Sequence, residues 1–131
     1  MIQQPAWIIW TGRVISALPV LGLAFSAYMK FSGSKEMLKG TQKFGISLDT
    51  MQGIGIVEVI CTVLYVIPQT AVLGAVLLTG YLGGAIATHV RINDDFSPPL
   101  IMGVMLWVGL FLRERRLWSL IPWRQKPTLP S

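Results

Sequence analysis

The sequence predicts an all-α membrane protein, an antiparallel bundle of four transmembrane helices. Of its 131 residues 53% are hydrophobic and 13% charged, with a mean hydropathy of +0.60, which is far from the composition of an ordinary soluble domain. The segment 70–91 is almost entirely apolar or small, and its length of about 22 residues is enough to cross a hydrocarbon core of ~30 Å. Three further apolar blocks complete the predicted bundle.

The first predicted span covers residues 8–30. It opens beside Trp7 and Trp10, whose indole rings are typical of a membrane interface, and Arg13 is expected to extend back toward the headgroups. A positive charge before an apolar run is also typical of a signal peptide, with a small-x-small cleavage site at residues 24–26. The later apolar blocks make the chain polytopic under either interpretation.

A short amphipathic segment is predicted between the first and second spans. Lys35, Lys39 and Lys43 recur every four residues, and Gly45 is placed to end a helix there. The pattern favours a short helix on the membrane surface or at the mouth of the bundle. A solvated loop that carries a run of charge is the alternative interpretation.

The second and third spans are predicted at 51–67 and 70–91, with Asp49 or Thr50 as the cap of the second. The connection between them is so short that they are expected to pack as an antiparallel hairpin. In the third span Gly80 and Gly84 form a small-xxx-small step, which is typical of close helix packing in membranes.

The fourth span is predicted at 98–117, because prolines are tolerated in the first turn of a helix and Pro98 and Pro99 begin this block. We expect the helix to continue through the charged run after Leu112 as far as Trp118. Residues 1–121 are then a single membrane domain, and residues 122–131 are a Pro-rich tail.

The net charge is +5, and the basic residues lie just outside the apolar blocks. This pattern indicates that the partner is the lipid bilayer and not nucleic acid. One cysteine and one histidine provide neither a disulfide nor a metal site, so no cofactor is expected beyond a non-covalent quinone or lipid. Four spans place both termini on one side of the membrane. Lys and Arg are nearly balanced between the sides, and we expect cytoplasmic termini.

The candidate site is centred on Glu58, an acid inside the second span with no cation one helical turn away. An ionised carboxylate at that depth costs several kcal/mol, so it is either protonated or paired with another helix. Connectivity places Lys30, Glu58, His89 and Arg91 in the same half of the bundle, which predicts that Glu58 faces one of these three cations across a polar pocket. The candidates for ligand binding or proton exchange are Glu58, His89, Arg91, Lys30, Tyr28, Tyr65 and Tyr81. The alternative is a buried ion pair that sets helix register without a ligand.

Several segments resemble the DoxX-like family of small membrane proteins, among them Tyr28-Met29-Lys30-Phe31, Gly55-Ile56-Val57-Glu58 and, most specifically, the run from Leu78 to Arg91. The resemblance implies a four-helix protein of the bacterial cytoplasmic membrane, usually of unknown function. Relatives have been linked to sulfur and thiol redox chemistry, as in the small subunits of thiosulfate:quinone oxidoreductase. Because this chain has no cysteine pair and no cofactor motif, a redox role would need a bound quinone or a partner subunit.

Three functions are compatible with these observations. The first is an accessory or scaffold subunit, not an enzyme on its own, with a polar intramembrane pocket around Glu58 and His89. The second is a quinone-binding redox accessory in which these two residues exchange protons. The third is small-solute or proton transport by a dimer, which the short chain and the lack of an inverted repeat disfavour. The predicted partners are the bilayer, a second copy of the chain or a membrane redox protein.

Overall fold

A computed structural model describes residues 4–126, and all of its regular structure in that range is helical. The predicted all-α class is confirmed. The helices in chain order are α1 (Ala6–Phe31), α2 (Lys35–Phe44), α3 (Leu48–Val66), α4 (Ala71–Arg91) and α5 (Ser97–Arg113), with short 3-10 segments at Pro68–Thr70 and Arg115–Ser119.

Three of the helical stretches, namely α1, α3 and Pro68–Arg91, are long and apolar enough to cross a membrane, and α5 is a shorter apolar helix. Their outer surfaces carry large exposed hydrophobic side chains such as Leu21, Phe25 and Val76. So much continuous apolar surface is unfavourable in water but suited to lipid. The chain is a membrane protein.

The four long helices pack in a closed ring, in which α1 and α4 each contact both α3 and α5. Leu23, Leu78, Leu106 and Leu110 fill the space between them and are almost completely buried. α1 and α5 approach most closely where Gly12 faces the backbone of Gly109. The absence of side chains at these glycines lets the two backbones come together.

Gly80 and Gly84 do not provide the close contact that their spacing predicts. A Cβ atom added at either position would meet no heavy atom within 4 Å, whereas one at Gly74 would overlap the backbone of Tyr65. α4 therefore makes its tight contact beside the turn after α3. Around Gly80 and Gly84 it borders a cavity instead.

The predicted amphipathic segment is confirmed as a helix, α2. The Ser34 hydroxyl accepts a hydrogen bond from the Met37 amide at 3.2 Å, which caps the start of the helix. Gly45 ends it in the left-handed conformation with φ of +66°, a geometry that glycine adopts without steric strain. Met37 is buried, so the apolar side of α2 faces the other helices.

α3 begins earlier than predicted, at Leu48. Its cap is Ser47, whose hydroxyl accepts from the Thr50 amide at 3.2 Å, so neither Asp49 nor Thr50 has that role. Ser, Asp and Thr are all among the preferred N-cap residues. The sequence pattern therefore left the first residue of this helix undetermined.

α5 ends at Arg113, before the predicted limit of 117. Glu114 leaves the helical conformation, and its carboxylate accepts from the Arg116 amide at 3.3 Å. The following segment turns back, with Leu117 buried and the Trp118 indole N–H donating to the Phe111 carbonyl at 2.6 Å. These tertiary contacts end the helix. Residues 122–126 are not helical, and the remainder of the predicted tail lies outside the described residues.

Candidate functional site

Glu58 lies on α3 with 0% of its surface exposed, and it pairs with Lys30. The Lys30 Nζ atom is 2.9 Å from Glu58 Oε2. One turn earlier on α3, Gly55 leaves room for α1, since a Cβ there would come within 3.1 Å of the Lys30 Cβ. The contact predicted between Glu58 and a cation of another helix is confirmed for Lys30.

Two further side chains complete a network at this carboxylate. Oε2 also accepts hydrogen bonds from the Ser26 hydroxyl at 3.4 Å and from the Tyr81 hydroxyl. Lys30 Nζ donates to Ser26 Oγ at 2.6 Å and lies 5.9 Å from the centre of the Tyr81 ring. The other carboxylate oxygen, Oε1, is buried without a hydrogen-bond partner among the described residues. α1, α3 and α4 thus meet at a single buried acid.

Ser26 was not among the predicted site residues. It precedes Lys30 by four positions on α1, so the two side chains lie on one face of the helix. The four-residue separation from Lys30 was the sequence signal that could have identified Ser26.

A cavity of about 610 Å³ opens beside this network and is lined by residues of all five helices. Its polar lining side chains are Ser26, Lys30, Glu36, Tyr81, Thr88 and His89. Most of the remaining wall is apolar and includes Met29, Met37, Met51, Met102, Phe44 and Ile54. Flexible methionine side chains adapt well to ligands of different shape. Glu58 is not part of the wall, because it lies behind Lys30, Tyr81 and Ser26.

A second cavity of about 350 Å³ adjoins the first on the α3 side. It is lined by Thr50, Gly53, Ile54, Val57 and Tyr81, and its surface is almost wholly apolar. Ile54 and Tyr81 border both cavities. Tyr81 therefore lies between the two spaces while its hydroxyl is held by Glu58.

His89 lines the main cavity but does not bond to Glu58 in the described structure. Its Nδ1 donates to the Ala85 carbonyl at 2.6 Å, and its Nε2 is 3.7 Å from Asp94 Oδ2. Tyr81 precedes His89 by eight residues on the same face of α4, which is about 12 Å along the axis. Tyr81 therefore lies at the depth of Glu58, whereas His89 lies nearer the C-terminal end of α4.

The end of α2 is attached to the end of α4 and the turn after it. Arg91 donates to the Phe44 carbonyl at 2.6 Å, and Lys43 Nζ lies 3.0 Å from Asp94 Oδ2. The His89 ring packs edge-on against the Phe44 ring, with 5.0 Å between the centroids. Arg91 thus holds α2 over the cavity. It was one of the three cations predicted to face Glu58, and it does not do so.

Asp94 and Asp95 are both stabilised as carboxylates in this turn. The hydrogen bond from Lys43 is the main reason that the pKa of Asp94 lies below its ordinary value. The backbone amide of Ser97 donates to Asp95 Oδ1 at 2.9 Å and lowers the pKa of that carboxyl in the same way. Both groups therefore favour the folded state when they are ionised.

We expect Asp94→Asn to weaken the attachment of α2 in a pH-dependent manner. Because the folded-state pKa of Asp94 is lowered, its contribution to stability is present above the ordinary carboxyl pKa of about 4 and is lost as the pH falls through the folded value. Melting temperatures of wild type and variant, measured in detergent from pH 7 to pH 3, should differ at neutral pH and converge in acid. A constant difference across this range would contradict the role given to the ionised carboxylate.

Tyr28 and Tyr65 are not brought to the site. Tyr28 is 67% exposed, facing outward from α1. The Tyr65 hydroxyl lies 2.9 Å from Ser16 Oγ and donates to the Leu106 carbonyl at 2.6 Å. Arg113 stacks over its ring at 4.8 Å, so Tyr65 belongs to a separate cluster that joins α1, α3 and α5.

The model of the DoxX-like family matches residues 14–112, more than half of the chain. The chain belongs to the DoxX-like family. Neither the curated proteins nor the solved structures contain a match to it. The matched region contains the whole Glu58 network and the residues that line the two cavities of this DoxX-like protein.

The arrangement in this family member joins a mostly apolar cavity to a buried, charge-balanced polar network. Ser26, Lys30 and Tyr81 present polar groups to the cavity, and each is already held by Glu58. Preformed polar groups in an apolar cavity orient a ligand without the loss of entropy that ordering them would require. The geometry is suited to binding a small amphipathic molecule.

Proposed function

We propose that this DoxX-like protein is a non-enzymatic accessory subunit that resides in the membrane. Its cavity binds a small, mostly apolar molecule with one polar group. The observation that carries the proposal is the cavity of about 610 Å³, a volume within the ~300–1,000 Å³ common to ligand sites. Ser26, Lys30 and Tyr81 would receive the polar group, and the methionine-rich wall would hold the apolar part.

The proposal includes four antiparallel spans, with α5 as the fourth. The 17 residues of α5 extend about 26 Å, slightly less than the ~30 Å hydrocarbon core, and local thinning or polar side chains at its ends would make up the difference. Four spans put both termini on the same side of a bacterial cytoplasmic membrane. Arg113 ends the last span and Arg115 and Arg116 follow it, and these arginines favour cytoplasmic termini.

Thermal unfolding of the purified protein in lipid nanodiscs tests ligand binding. The ligand panel consists of a long-chain alcohol, a quinone analogue and individual phospholipids. We expect at least one compound to raise the melting temperature by several degrees, since a ligand that binds only the folded state stabilises it. The absence of any shift across the panel would contradict the proposal.

Two glycine variants then locate the bound compound. Gly84 lines the cavity, whereas its neighbour Gly83 does not, and a Cβ at either position would meet no heavy atom within 4 Å. Gly84→Phe should place its ring in the cavity and abolish the shift, and Gly83→Phe should retain it. Equal shifts in the two variants would place the compound elsewhere.

The quinone-binding alternative is supported by one feature of the same cavity. Tyr81, which is hydrogen-bonded to Glu58, and His89 both line it, so a quinone could contact both proton-exchanging networks. Under this alternative Glu58→Gln and His89→Ala each reduce the shift produced by the quinone analogue. A quinone shift that neither substitution changes would favour simple apolar binding.

A further inference from the structure

The cavity has a cation on its wall and the matching acid behind that wall. The Lys30 side chain is 16% exposed and lines the cavity, whereas Glu58 is completely buried and does not. Among the described lining residues Lys30 is the only lysine or arginine. The other charged or titratable lining groups are Glu36, which is exposed, Tyr81, which is hydrogen-bonded to Glu58, and His89, which lies beside Asp94.

We propose that the cavity selects uncharged ligands and that Glu58 sets this selectivity by neutralising Lys30. The inference rests on the proposed function, because it specifies the chemical class of the molecule bound there. The class is a single-chain amphiphile whose polar group is a hydroxyl or a carbonyl. Ser26 and Tyr81 are the hydroxyl groups that such a polar group would meet beside Lys30.

An anionic headgroup is excluded by what it would do to Glu58. Two of the three ammonium N–H groups of Lys30 already bind Ser26 Oγ at 2.6 Å and Glu58 Oε2 at 2.9 Å, so an anion that accepted the third would compete with Glu58 for the same positive charge. The carboxylate would keep its charge in a buried position where Oε1 already has no partner among the described residues. A buried charge that is only partly compensated is unfavourable, so the ion pair disfavours an anion in the cavity.

A cationic headgroup is excluded more directly. It would meet the ammonium of Lys30 at the wall, and it could not reach Glu58, which lies behind Lys30, Ser26 and Tyr81. An uncharged hydroxyl or carbonyl leaves the Lys30–Glu58 pair intact. This class of headgroup gains hydrogen bonds without competing for either charge of the pair.

Three ligands with the same twelve-carbon chain test the selectivity. Dodecanol, laurate and dodecyltrimethylammonium are titrated into the nanodisc-bound protein at pH 9, where the fatty acid is ionised, and dissociation constants are corrected for partition into empty nanodiscs. The wild type is expected to bind dodecanol at least tenfold more tightly than either ion. Equal binding of laurate and dodecanol by the wild type would overturn the inference without any variant.

The variant Glu58→Gln should reverse the selectivity. It leaves Lys30 without its buried counter-charge, so laurate should gain at least tenfold in affinity and equal or exceed dodecanol. Glu36→Gln is the matched control, since it removes an acid from the cavity lining without releasing Lys30, and laurate should stay weak. A Glu58→Gln protein that still excludes laurate would overturn the inference.

Ligand binding in the cavity and its selectivity for uncharged ligands can be contradicted separately. If the wild type binds none of the three ligands, the proposed function and this inference are overturned together. If the wild type binds all three equally and Gly84→Phe abolishes that binding, the proposed function stands and the charge selectivity does not.

Discussion

Lys30→Met should lower the free energy of unfolding by about 3–5 kcal/mol, the range measured when one partner of a buried ion pair is removed. Glu58 is completely buried, and Lys30 is the cation within salt-bridge distance of it. Without the ammonium the carboxylate is a buried charge with no counter-charge, which is strongly unfavourable. Equilibrium unfolding in mixed detergent micelles measures the loss.

The matched control is Lys39→Met on α2, whose lysine is exposed and whose replacement should change stability by no more than about 0.5 kcal/mol. The double variant Lys30→Met/Glu58→Gln should be more stable than Lys30→Met alone, because the uncharged amide no longer needs a counter-charge. A single variant within about 1 kcal/mol of wild type would contradict the importance of the pair.

Gly109→Ala should also destabilise the protein, by about 1–3 kcal/mol or more, as overpacked cores do. A Cβ atom at residue 109 would lie 2.8 Å from the Ser16 amide nitrogen and 2.9 Å from the Gly12 carbonyl oxygen. Both contacts are with backbone atoms, so α1 and α5 would have to move apart. Equilibrium unfolding in mixed detergent micelles measures this loss as well.

Gly80→Ala is the control for the second prediction. No heavy atom lies within 4 Å of its added Cβ, and replacing a helical glycine with alanine favours the helix by about 0.5–1 kcal/mol. Gly80→Ala should therefore be neutral or stabilising. Equal losses in the two variants would show that the α1–α5 contact is not tight.

The two predictions concern different ends of the helix ring, which have different physical roles. At the Gly12 and Gly109 crossing, Ser16, Tyr65 and Arg113 bond to one another across α1, α3 and α5. At the Lys30 and Glu58 end the ring opens into the cavity. Close packing at one end holds the helices together, so the other end can be hollow enough to admit a ligand.

Much of the fold was predictable because the bilayer imposes strong rules on sequence. Long apolar runs, Gly45 as a helix end and the short turn at Pro68 are local signals, and each led to a helix that the structure contains. The contact of Glu58 with Lys30 was also within reach of sequence reasoning. An acid inside a span must be protonated or paired, and connectivity places the end of α1 in the same half of the bundle as Glu58.

The identity of the remaining partners was not predictable in this way. His89 was as plausible a partner for Glu58 as Tyr81, because helix rotation and depth decide which side chain on one face of α4 reaches the acid. Gly80 and Gly84 have the spacing of a packing motif, yet the close contacts occur at Gly12, Gly74 and Gly109. Spacing shows that small residues share a face but does not show which helix they meet.

By itself, the sequence determined that this chain is helical and suited to a membrane, and that an acid within its second long helix must be protonated or paired. Only the tertiary structure decided that Lys30, Ser26 and Tyr81 surround that acid, that His89 and Arg91 hold the end of α2, and that a cavity separates these two groups. The physical reason is that apolar composition and helix length are properties of a segment. The rotation, depth and separation of neighbouring helices are properties of the packed whole.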